Sequence, residues 1–179
     1  MRRKQNEITD PGIIEEILSG SEVCRIAMIE NNRPYIVPLN YGYKNKTLYF
    51  HSSGLGKKID LLKADSKVCF EIELFSQVIK KENPCDWSTK YRSVIGYGTI
   101  EFVTGSREKR ESLDIIMAHH GKTDKNFYPD TLIEKVVILK LKIEEITGKQ
   151  SGDWDQTPHE PAQEKNFKAA RDRGADELN

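Results

Sequence analysis

The sequence lacks the features that mark membrane, secreted and nucleic-acid-binding proteins. No apolar run approaches the roughly 18 residues that suggest a membrane-spanning helix. The basic residues that follow Met1 are not succeeded by the apolar stretch of a signal peptide. Lysine plus arginine and aspartate plus glutamate number 28 each, and this balance gives no support for nonspecific binding to nucleic acid or to an anionic membrane. We therefore expect a cytoplasmic protein with neither kind of partner.

Cysteine is scarce, and so are the usual metal and dinucleotide motifs. Cys24, Cys69 and Cys85 are odd in number and widely spaced, which is the pattern of neither a disulfide framework nor a zinc motif. His119 and His120 have no third ligand placed to help them, and adjacent residues on a helix point apart. A helix-end pair that complements the helix dipole is the better interpretation, and we expect no metal site. No Gly-x-Gly-x-x-Gly loop is present either.

What the chain does contain is a series of short strand-like segments. Its 179 residues suffice for one domain of ordinary size. Short turns between the segments predict an antiparallel meander. Because Pro38 cannot donate to a ladder, it marks an edge, a bulge or a place where something other than a strand lies alongside. Residues 76–91 are predicted to form a long polar loop, which in a compact domain is often functional. The predicted strands are 23–29, 34–40, 47–51, 67–75, 92–103 and 136–146, with 41–44 either continuing the second or starting a third.

Three helices are predicted from signals at their ends. The first covers residues 10–20, with Asp10 as its N-cap and Gly20 as a left-handed residue just past its end. The others cover residues 57–64 and 106–120. A meander of about six strands, with helices at its ends and crossings, predicts a mainly β fold that forms a small closed or partly closed barrel.

Three residues inside the predicted strands carry information about their surroundings. Gly96 and Gly98 suggest a bend, or the close approach of a ligand or a second backbone. Arg25 is the one charge in an apolar strand. We expect it to pair with a carboxylate across the sheet, for which Glu71 or Glu73 would serve, rather than to contact an anion.

The stretch from 48 to 62 indicates a strand, a tight polar loop and the start of a helix. Ser52 and Ser53 lie in the loop, and Lys57 and Lys58 lie on the first helical turn. A helix N-terminus has unpaired N–H groups and partial positive charge, so lysines there are mildly unfavourable without an anion. The serine hydroxyls and lysines together suit a phosphate. The alternative is a serine-capped helix with two solvated lysines.

Three motifs in this order resemble those of the flavin-binding split barrels, which are relatives of pyridoxamine 5′-phosphate oxidase, and in particular the nitroimidazole-resistance branch. The resemblance covers roughly residues 10–150. The motifs are Tyr49-Phe50-His51-Ser52 with Gly56-Lys57-Lys58, similar to the phosphate loop; Val37-Pro38-Leu39-Asn40-Tyr41, similar to the strand along the flavin ring; and Tyr91-Arg92-Ser93-Val94 with Gly96-Tyr97-Gly98, similar to its partner strand.

The resemblance implies a six-stranded antiparallel split β-barrel, paired as a homodimer with two FMN molecules at the interface. Residues 1–150 would form this domain, and 151–179 a polar C-terminal extension packed on the barrel or on the dimer partner. Lys57 and Lys58 would meet the FMN phosphate, since two lysines balance a dianion. The other implied cofactor-binding residues are His51 and Ser52 near the phosphate and ribityl chain, Val37, Pro38, Leu39, Asn40 and Tyr41 along the ring, and Arg92, Ser93 and Val94 on the facing strand.

The implied activity is reduction of a small planar or nitro-containing compound at the interface flavin. His51 is the candidate catalytic residue, or equally a structural histidine at a strand end, and Trp87 either covers the flavin or packs the dimer. The tail has Trp154 but lacks the arginine cluster of the true oxidases, so vitamin B6 oxidation is not expected. The alternative is a split barrel that binds haem or flavin, or degrades haem, for which the candidate histidine ligands are His51, His119, His120 and His159.

Overall fold

The computed structural model describes residues 3–124 and 126–154, and most of them belong to one antiparallel sheet. Short 3-10 turns lie at Lys4–Asn6 and Pro84–Asp86. The helices are α1 (Pro11–Gly20), α2 (Lys57–Ala64), α3 (Ser106–His119) and α4 (Asp130–Lys135). The strands are β1 (Glu7–Ile8), β2 (Val23–Glu30), β3 (Arg33–Asn40), β4 (Gly42–Lys44), β5 (Thr47–Ser52), β6 (Lys67–Ile79), β7 (Ser88–Val103) and β8 (Val137–Ser151).

The sheet curls because its two edge strands are consecutive in the chain. The strand order is β3-β2-β6-β7-β8-β5-β4, with β1 added on β8, and β3 and β4 are separated only by Tyr41. Tyr41 is fully buried, and its hydroxyl donates to the carbonyl of Leu18 at 2.8 Å. The predicted split-barrel class is therefore confirmed. The sheet has eight strands in the described part rather than six, because two short ones, β1 and β4, are added to six long ones.

The inner face of the sheet forms the main core. Ile26, Phe70 and Leu139 are fully buried or nearly so, together with α1 and α2 residues such as Ile17 and Leu62. The side chain of Asp10 caps α1 as predicted, by accepting the N–H of Gly12 at 2.8 Å. Hydrophobic burial of this kind is the main force that holds a small domain together. The two helices thus complete a core that the strands begin.

Gly96 and Gly98 point into this core. A Cβ at Gly96 would lie 2.4 Å from the ring of Phe70, and a Cβ at Gly98 would lie 2.1 Å from the carbonyl oxygen of Lys142 on β8. The predicted close approach of a second backbone is confirmed at Gly98. A bound ligand, which the two glycines also suggested, is not the reason for them. Atoms of the barrel itself fill the space that their side chains would occupy.

The outer face of the sheet divides into two regions, of which the first is covered by helices. We call it the covered face: Val103 and Ile138 of the sheet pack there against Leu113 and Ile116 of α3 and Ile133 of α4. The helix sits so close that a Cβ on Gly42, at the start of β4, would lie 2.6 Å from the backbone of Ile116. Burial of large side chains on both sides of the contact fixes α3 against the sheet.

The second region, on β3, β2, β6 and β7, carries no helix in the described part of the chain. We call it the bare face and define it by the outward side chains of Ile36, Pro38, Ile95 and Tyr97. Directly opposite residues of an antiparallel pair point to the same face, and the register aligns Ile36 with Tyr97 through β2 and β6, and Pro38 with Ile95. Ile36 is 59% exposed, Ile95 48% and Tyr97 55%.

The predicted polar loop at 76–91 is wrong over half of its length, since only residues 80–87 lie outside the strands. Strands β6 and β7 continue through it as a hairpin, and their pairing extends to Ile79 and Ser88. Both faces of the hairpin are largely solvated, so its residues lack the apolar alternation that would have predicted strands. Trp87 is 44% exposed at its end, with its indole N–H donating to the carbonyl of Lys81 at 2.9 Å.

Candidate active site

The predicted phosphate loop has the expected local structure. Strand β5 ends at Ser52, and α2 begins at Lys57 directly after Gly56, which has φ of 112°. Among the described residues no side chain caps this helix start, since the hydroxyl of Ser53 accepts the N–H of Leu55 instead. A Cβ at Gly56 would meet no atom within 4 Å. The N–H groups of Ile59 and Asp60 donate to the carbonyl of Gly56, whereas those of Lys57 and Lys58 have no hydrogen-bond partner in the described part of the chain.

The two lysines of this helix start differ in their partners. The ammonium of Lys57 pairs with Glu30 and lies 4.6 Å from the ring centre of Tyr35. Lys58 is half-buried, and within residues 3–124 and 126–154 it forms no ion pair or hydrogen bond. Burial lowers the pKa of the Lys58 ammonium. A cation that is partly desolvated and lacks a counter-charge favours the arrival of an anion.

His51 and Ser52 diverge, because adjacent residues of a strand point to opposite faces. His51 is exposed and lies opposite Ile138, whose side chain belongs to the covered face. Ser52 is half-buried and lies opposite Val137, which packs on the main core. The two residues predicted to share the phosphate and ribityl chain thus offer their side chains on different sides of β5.

The side chains of the predicted ring-lining segment on β3 also alternate between the two faces of the sheet. Val37 and Leu39 pack inward on the main core and Tyr41 is fully buried, whereas Pro38 and Asn40 are exposed on the outer side. The side-chain amide of Asn40 donates to the carbonyl of Glu22 at 3.3 Å. Strand β3 is an edge of the sheet, as Pro38 predicted, so one side of its backbone is available to a ligand or another chain.

The predicted partner strand on β7 places its three residues in three environments. Val94 is buried in the core, and Ser93 points outward, since it alternates with Val94. Arg92 is largely buried: its guanidinium bonds Glu16 of α1 at 3.0 Å and Gln150 of β8 at 3.1 Å, and stacks on the Trp154 ring at 4.0 Å. Arg92 therefore ties β7, β8 and α1 together. Neither of its polar partners was anticipated from the sequence.

One chain does not bring all three predicted segments together. Val94 is aligned across the sheet with Cys24, near the start of β2, through β6. Glu30, the partner of Lys57, lies at the opposite end of β2. At about 3.4 Å per residue the two ends are roughly 20 Å apart. The Lys58 loop and the β7 segment therefore lie at opposite ends of the bare face.

The electrostatics of the bare face include one predicted ion pair. The guanidinium of Arg25 contacts the carboxylate of Glu71 at 3.0 Å, which confirms the pairing expected across the sheet. The pair lies in the row that joins Pro38 to Ile95. Because both charges are already matched, this row presents a nearly neutral surface to whatever lies against it.

The histidine pair on α3 is only partly as expected. His119 is half-buried, with Nε2 at 2.7 Å from the carbonyl oxygen of Ser21 and its ring centre 4.6 Å from that of Tyr41. Burial, more than any other influence, lowers the pKa of His119. His119 therefore fastens the end of α3 to the barrel and is not simply a solvated charge at a helix end. In the described part of the chain no three metal-ligating side chains cluster, and no helix there is long and apolar enough to span a membrane.

The sequence profile of a family described as pyridoxamine 5′-phosphate oxidase matches residues 10–150. The chain belongs to this family. The match spans the whole barrel from α1 to β8, including the Lys58 loop and both flanking strands. The family resemblance drawn from the three sequence motifs is confirmed.

Solved structures of other members and relatives share the fold. A candidate 5-nitroimidazole antibiotic resistance protein from Bacteroides thetaiotaomicron is 34% identical, with a TM-score of 0.72 over 80% of this chain and 85% of that one. An FAD and heme binding protein from Mycobacterium smegmatis is 19% identical, with a TM-score of 0.75 over 86% and 77%. A flavocytochrome from Azotobacter vinelandii is 17% identical, with a TM-score of 0.72 over 89% and 75%.

Among curated sequences, an uncharacterized protein of Rhizobium meliloti is 32% identical over 60 residues. The matched part is 34% of this chain and 39% of that protein, so the chain spans about two fifths of the length of the curated relative it matches.

Proposed function

We propose that this member of the pyridoxamine 5′-phosphate oxidase family binds FMN by its phosphate at the start of α2. The observation that carries the proposal is Lys58, a half-buried ammonium without a protein partner among the described residues, beside the open helix start at Gly56. A phosphate dianion supplies the missing counter-charge and accepts from the free N–H groups. Two of the structural relatives are named for flavin or flavocytochrome content, which supports a flavin as the phosphate's carrier.

In this proposal the remaining predicted residues contribute to FMN binding to different extents. Ser52 is near enough in sequence to the helix start to offer its hydroxyl to the phosphate. Lys57 is instead held by its ion pair with Glu30. The exposed Pro38 and Asn40, with the free edge of β3, border the ring. Val37, Leu39 and Tyr41 act only through their backbone because their side chains pack inward or are buried.

A second copy of this chain completes the site. The Lys58 loop and the outward Ser93 lie at opposite ends of the bare face, so a cofactor bordered by both segments would lie between two subunits. Exposed apolar patches that have no cover of their own mark interaction sites, and Ile36, Ile95 and Tyr97 form such a patch. A two-fold pairing would create two equivalent sites.

The proposed activity is an FMN-dependent reduction of a small planar or nitro-containing compound. A bound reduced flavin would supply two electrons and two protons, enough to convert a nitro group to a nitroso group and water. The chain contributes binding, orientation and exclusion of water. His51, exposed at the end of β5, is the candidate proton donor to the substrate.

Substitution of the lysines tests the phosphate site. Lys58→Ala should weaken FMN binding about ten- to a hundredfold, since a charge-assisted contact contributes roughly 1.5–3 kcal/mol and about 1.4 kcal/mol is one decade. Lys57→Ala should weaken it less, because that lysine already has a carboxylate partner. Lys63→Ala, in the last turn of α2, is the matched control. The measurement is a fluorescence titration of apo-protein with FMN, and unchanged affinity in Lys58→Ala would contradict the site.

The reaction needs a separate test. The FMN-loaded protein is reduced chemically without oxygen and mixed with a nitroimidazole, with the same imidazole lacking the nitro group as control. Return of the oxidised flavin spectrum only with the nitro compound, together with recovery of the nitroso product, is the expected result. If neither compound reoxidises the flavin, the proposed nitro-reducing activity is contradicted. Release of a haem instead of a flavin from freshly purified protein would favour the haem-binding alternative.

A further inference from the structure

The hairpin of β6 and β7 projects beyond the rest of the sheet as a two-stranded arm. Within the described residues β8 pairs with β7 only as far as Tyr91, opposite Ser151, whereas β6 and β7 pair with each other out to Ile79 and Ser88. We call residues 77–90 the arm. A two-stranded hairpin by itself is at best marginally stable in water, so contact with another surface should stabilise the arm.

The two sides of the arm are unequally covered by its own chain. On the side that continues the inner face of the sheet, the Trp154 ring centre lies 4.4 Å from the ammonium of Lys90 and 5.4 Å from the ring centre of Phe75. On the outer side Val78 and Thr89 are directly opposite each other, and Val78 is 56% exposed. The described part of the chain therefore leaves the outer side of the arm in solvent.

This outer side is continuous with the bare face. Alternate residues of a strand point to the same side, so every second residue of β7 from Thr89 to Ile95 lies on the side of the bare face. Trp87, just before β7, is 44% exposed, with the ammonium of Lys80 at 5.4 Å from its ring centre. Exposed apolar side chains thus extend from the bare face onto the arm, which is typical of an interaction surface.

The opposite end of the bare face has two exposed aliphatic side chains beside the phosphate loop. Leu55, in the loop before α2, is 86% exposed, and Ile29, near the end of β2, is 63% exposed. The ion pair of Lys57 with Glu30 holds the start of α2 against that end of β2. Neither aliphatic side chain belongs to the packed clusters of the main core or the covered face. Both are therefore available to a second surface.

The pairing proposed for the two subunits brings the arm and this surface together. It sets Ser93 of one chain beside the phosphate loop of the other, and the arm begins beyond Ser93. At about 3.4 Å per residue, Ser88 lies roughly 17 Å further along β7 than Ser93. The arm of one chain therefore extends across the phosphate loop of its partner.

We infer that the arm of each subunit lies across the phosphate loop of the other, with Val78 and Trp87 packed against the partner's Ile29 and the partner's Leu55. The inference rests on the proposed function, from which it takes the pairing of the subunits. Each FMN site is then completed by the other copy of the chain. The arm excludes water from the contact between Lys58 and the phosphate, which strengthens the attraction between their charges.

The test is cross-linking of the full-length, FMN-loaded protein through Cys85, which is exposed in the turn of the arm. Cys24 is buried, so in a Cys69→Ala background Cys85 is the accessible native thiol. Adding Leu55→Cys and a short thiol-reactive cross-linker should then produce a covalent dimer. Adding Cys85→Ser to that chain should abolish the covalent dimer. Glu111→Cys, exposed on α3, replaces Leu55→Cys as the matched control and should produce none.

A second measurement tests the apolar contact of the arm. Val78→Asp places a charge on its outer side and should weaken dimerisation at least about tenfold, because an unpaired charge is costly to desolvate. Ser88→Asp, on the opposite side of the arm, is the matched control and should leave dimerisation unchanged. Sedimentation over a range of concentrations measures both variants.

The outcomes separate this inference from the proposed function. A covalent dimer that Cys85→Ser abolishes, with weaker dimerisation in Val78→Asp, supports the arm assignment. A dimeric protein that Leu55→Cys does not link would overturn it, and so would unchanged dimerisation in Val78→Asp. Linkage through Cys85 alone would also overturn it, because the two arms would then lie against each other. In all three cases weaker FMN binding in Lys58→Ala would still support the phosphate site.

Discussion

The outer surface of this barrel contains two regions with similar residues and opposite exposure. On the covered face Ile138 is fully buried beneath α3 and α4, whereas on the bare face Ile95 is 48% exposed. Both are isoleucines of long strands in the same sheet, Ile95 near the middle of β7 and Ile138 at the start of β8. The difference lies in what the chain places over them, since α3 and α4 pack on one region only.

This contrast separates two uses of apolar strand residues. Beneath the helices, burial stabilises the fold of a single chain. On the bare face the same type of residue contributes little to the isolated chain and is available for contact with a second one. Stability of the monomer and association between monomers should therefore respond to different substitutions.

The largest expected effect is on the stability of the monomer, and it tests the role of the covered face. Ile138→Ala removes a fully buried side chain and should lower the free energy of unfolding by about 2–5 kcal/mol. Ile95→Ala, its matched control, should change that free energy by less than about 0.5 kcal/mol in dilute flavin-free protein. Urea denaturation followed by circular dichroism measures both. Equal losses in the two variants would mean that the bare face is as important to the monomer as the covered face.

The second effect concerns association. Ile95→Asp places a charge on the bare face and should weaken dimerisation at least about tenfold, because an unpaired charge at an interface is costly to desolvate. The monomer should remain folded, since the position is solvated there. Sedimentation of parent and variant over a range of concentrations provides the measurement, with Ser88→Asp, exposed at the start of β7, as a surface-charge control. A parent chain that sediments as a monomer with flavin bound would remove the bare face from consideration as an interface.

The smallest expected effect concerns the contact that holds the end of α3 against the barrel. Burial lowers the pKa of His119 below its ordinary value of 6.5, so between the two values the unfolded chain binds more protons than the folded one. The contribution of His119 to stability is therefore complete above about pH 6.5 and declines as the pH falls through the lowered pKa. His119→Gln should reduce this pH dependence, whereas His120→Gln, at the exposed neighbour, should retain most of it. Urea titrations at pH 7.5 and 5.5 compare the three proteins, and equal pH dependence in all of them would rule out His119 as the source.

Sequence reasoning was successful where the signal is local. Asp10 and its neighbours specify the start of α1, and the polar loop before Lys57 specifies the start of α2. It was wrong at Gly20, which is the last residue of α1 and not a left-handed residue after it. A Cβ there would lie 2.9 Å from Leu74, so close packing accounts for that glycine. The six-residue α4 was missed because so short a segment shows no clear period.

Features of the candidate site that depend on distant partners were not predictable. Lys57 and Lys58 look equivalent in the sequence, and only the arrival of Glu30 from β2 distinguishes them. Arg92 was expected at a cofactor, but Glu16, which is 76 residues away, holds it near α1. The predicted tail over 151–179 lies outside the described residues beyond Trp154, which packs on Phe75 and Arg92.

Strand β8 has a consequence for the order of events during synthesis. It pairs with β1, β5 and β7, so before it leaves the ribosome the nascent chain can build only two separate sheets, β3-β2-β6-β7 and β5-β4. Closure must await the last long strand, and contacts between segments so far apart in sequence form slowly. We expect chains stalled just before Val137 to be cleaved readily by protease. Chains that carry an added C-terminal linker, and so stall some forty residues beyond Ser151 once β8 has cleared the exit tunnel, should resist it. Equal resistance in both would show that the barrel forms without its final strand.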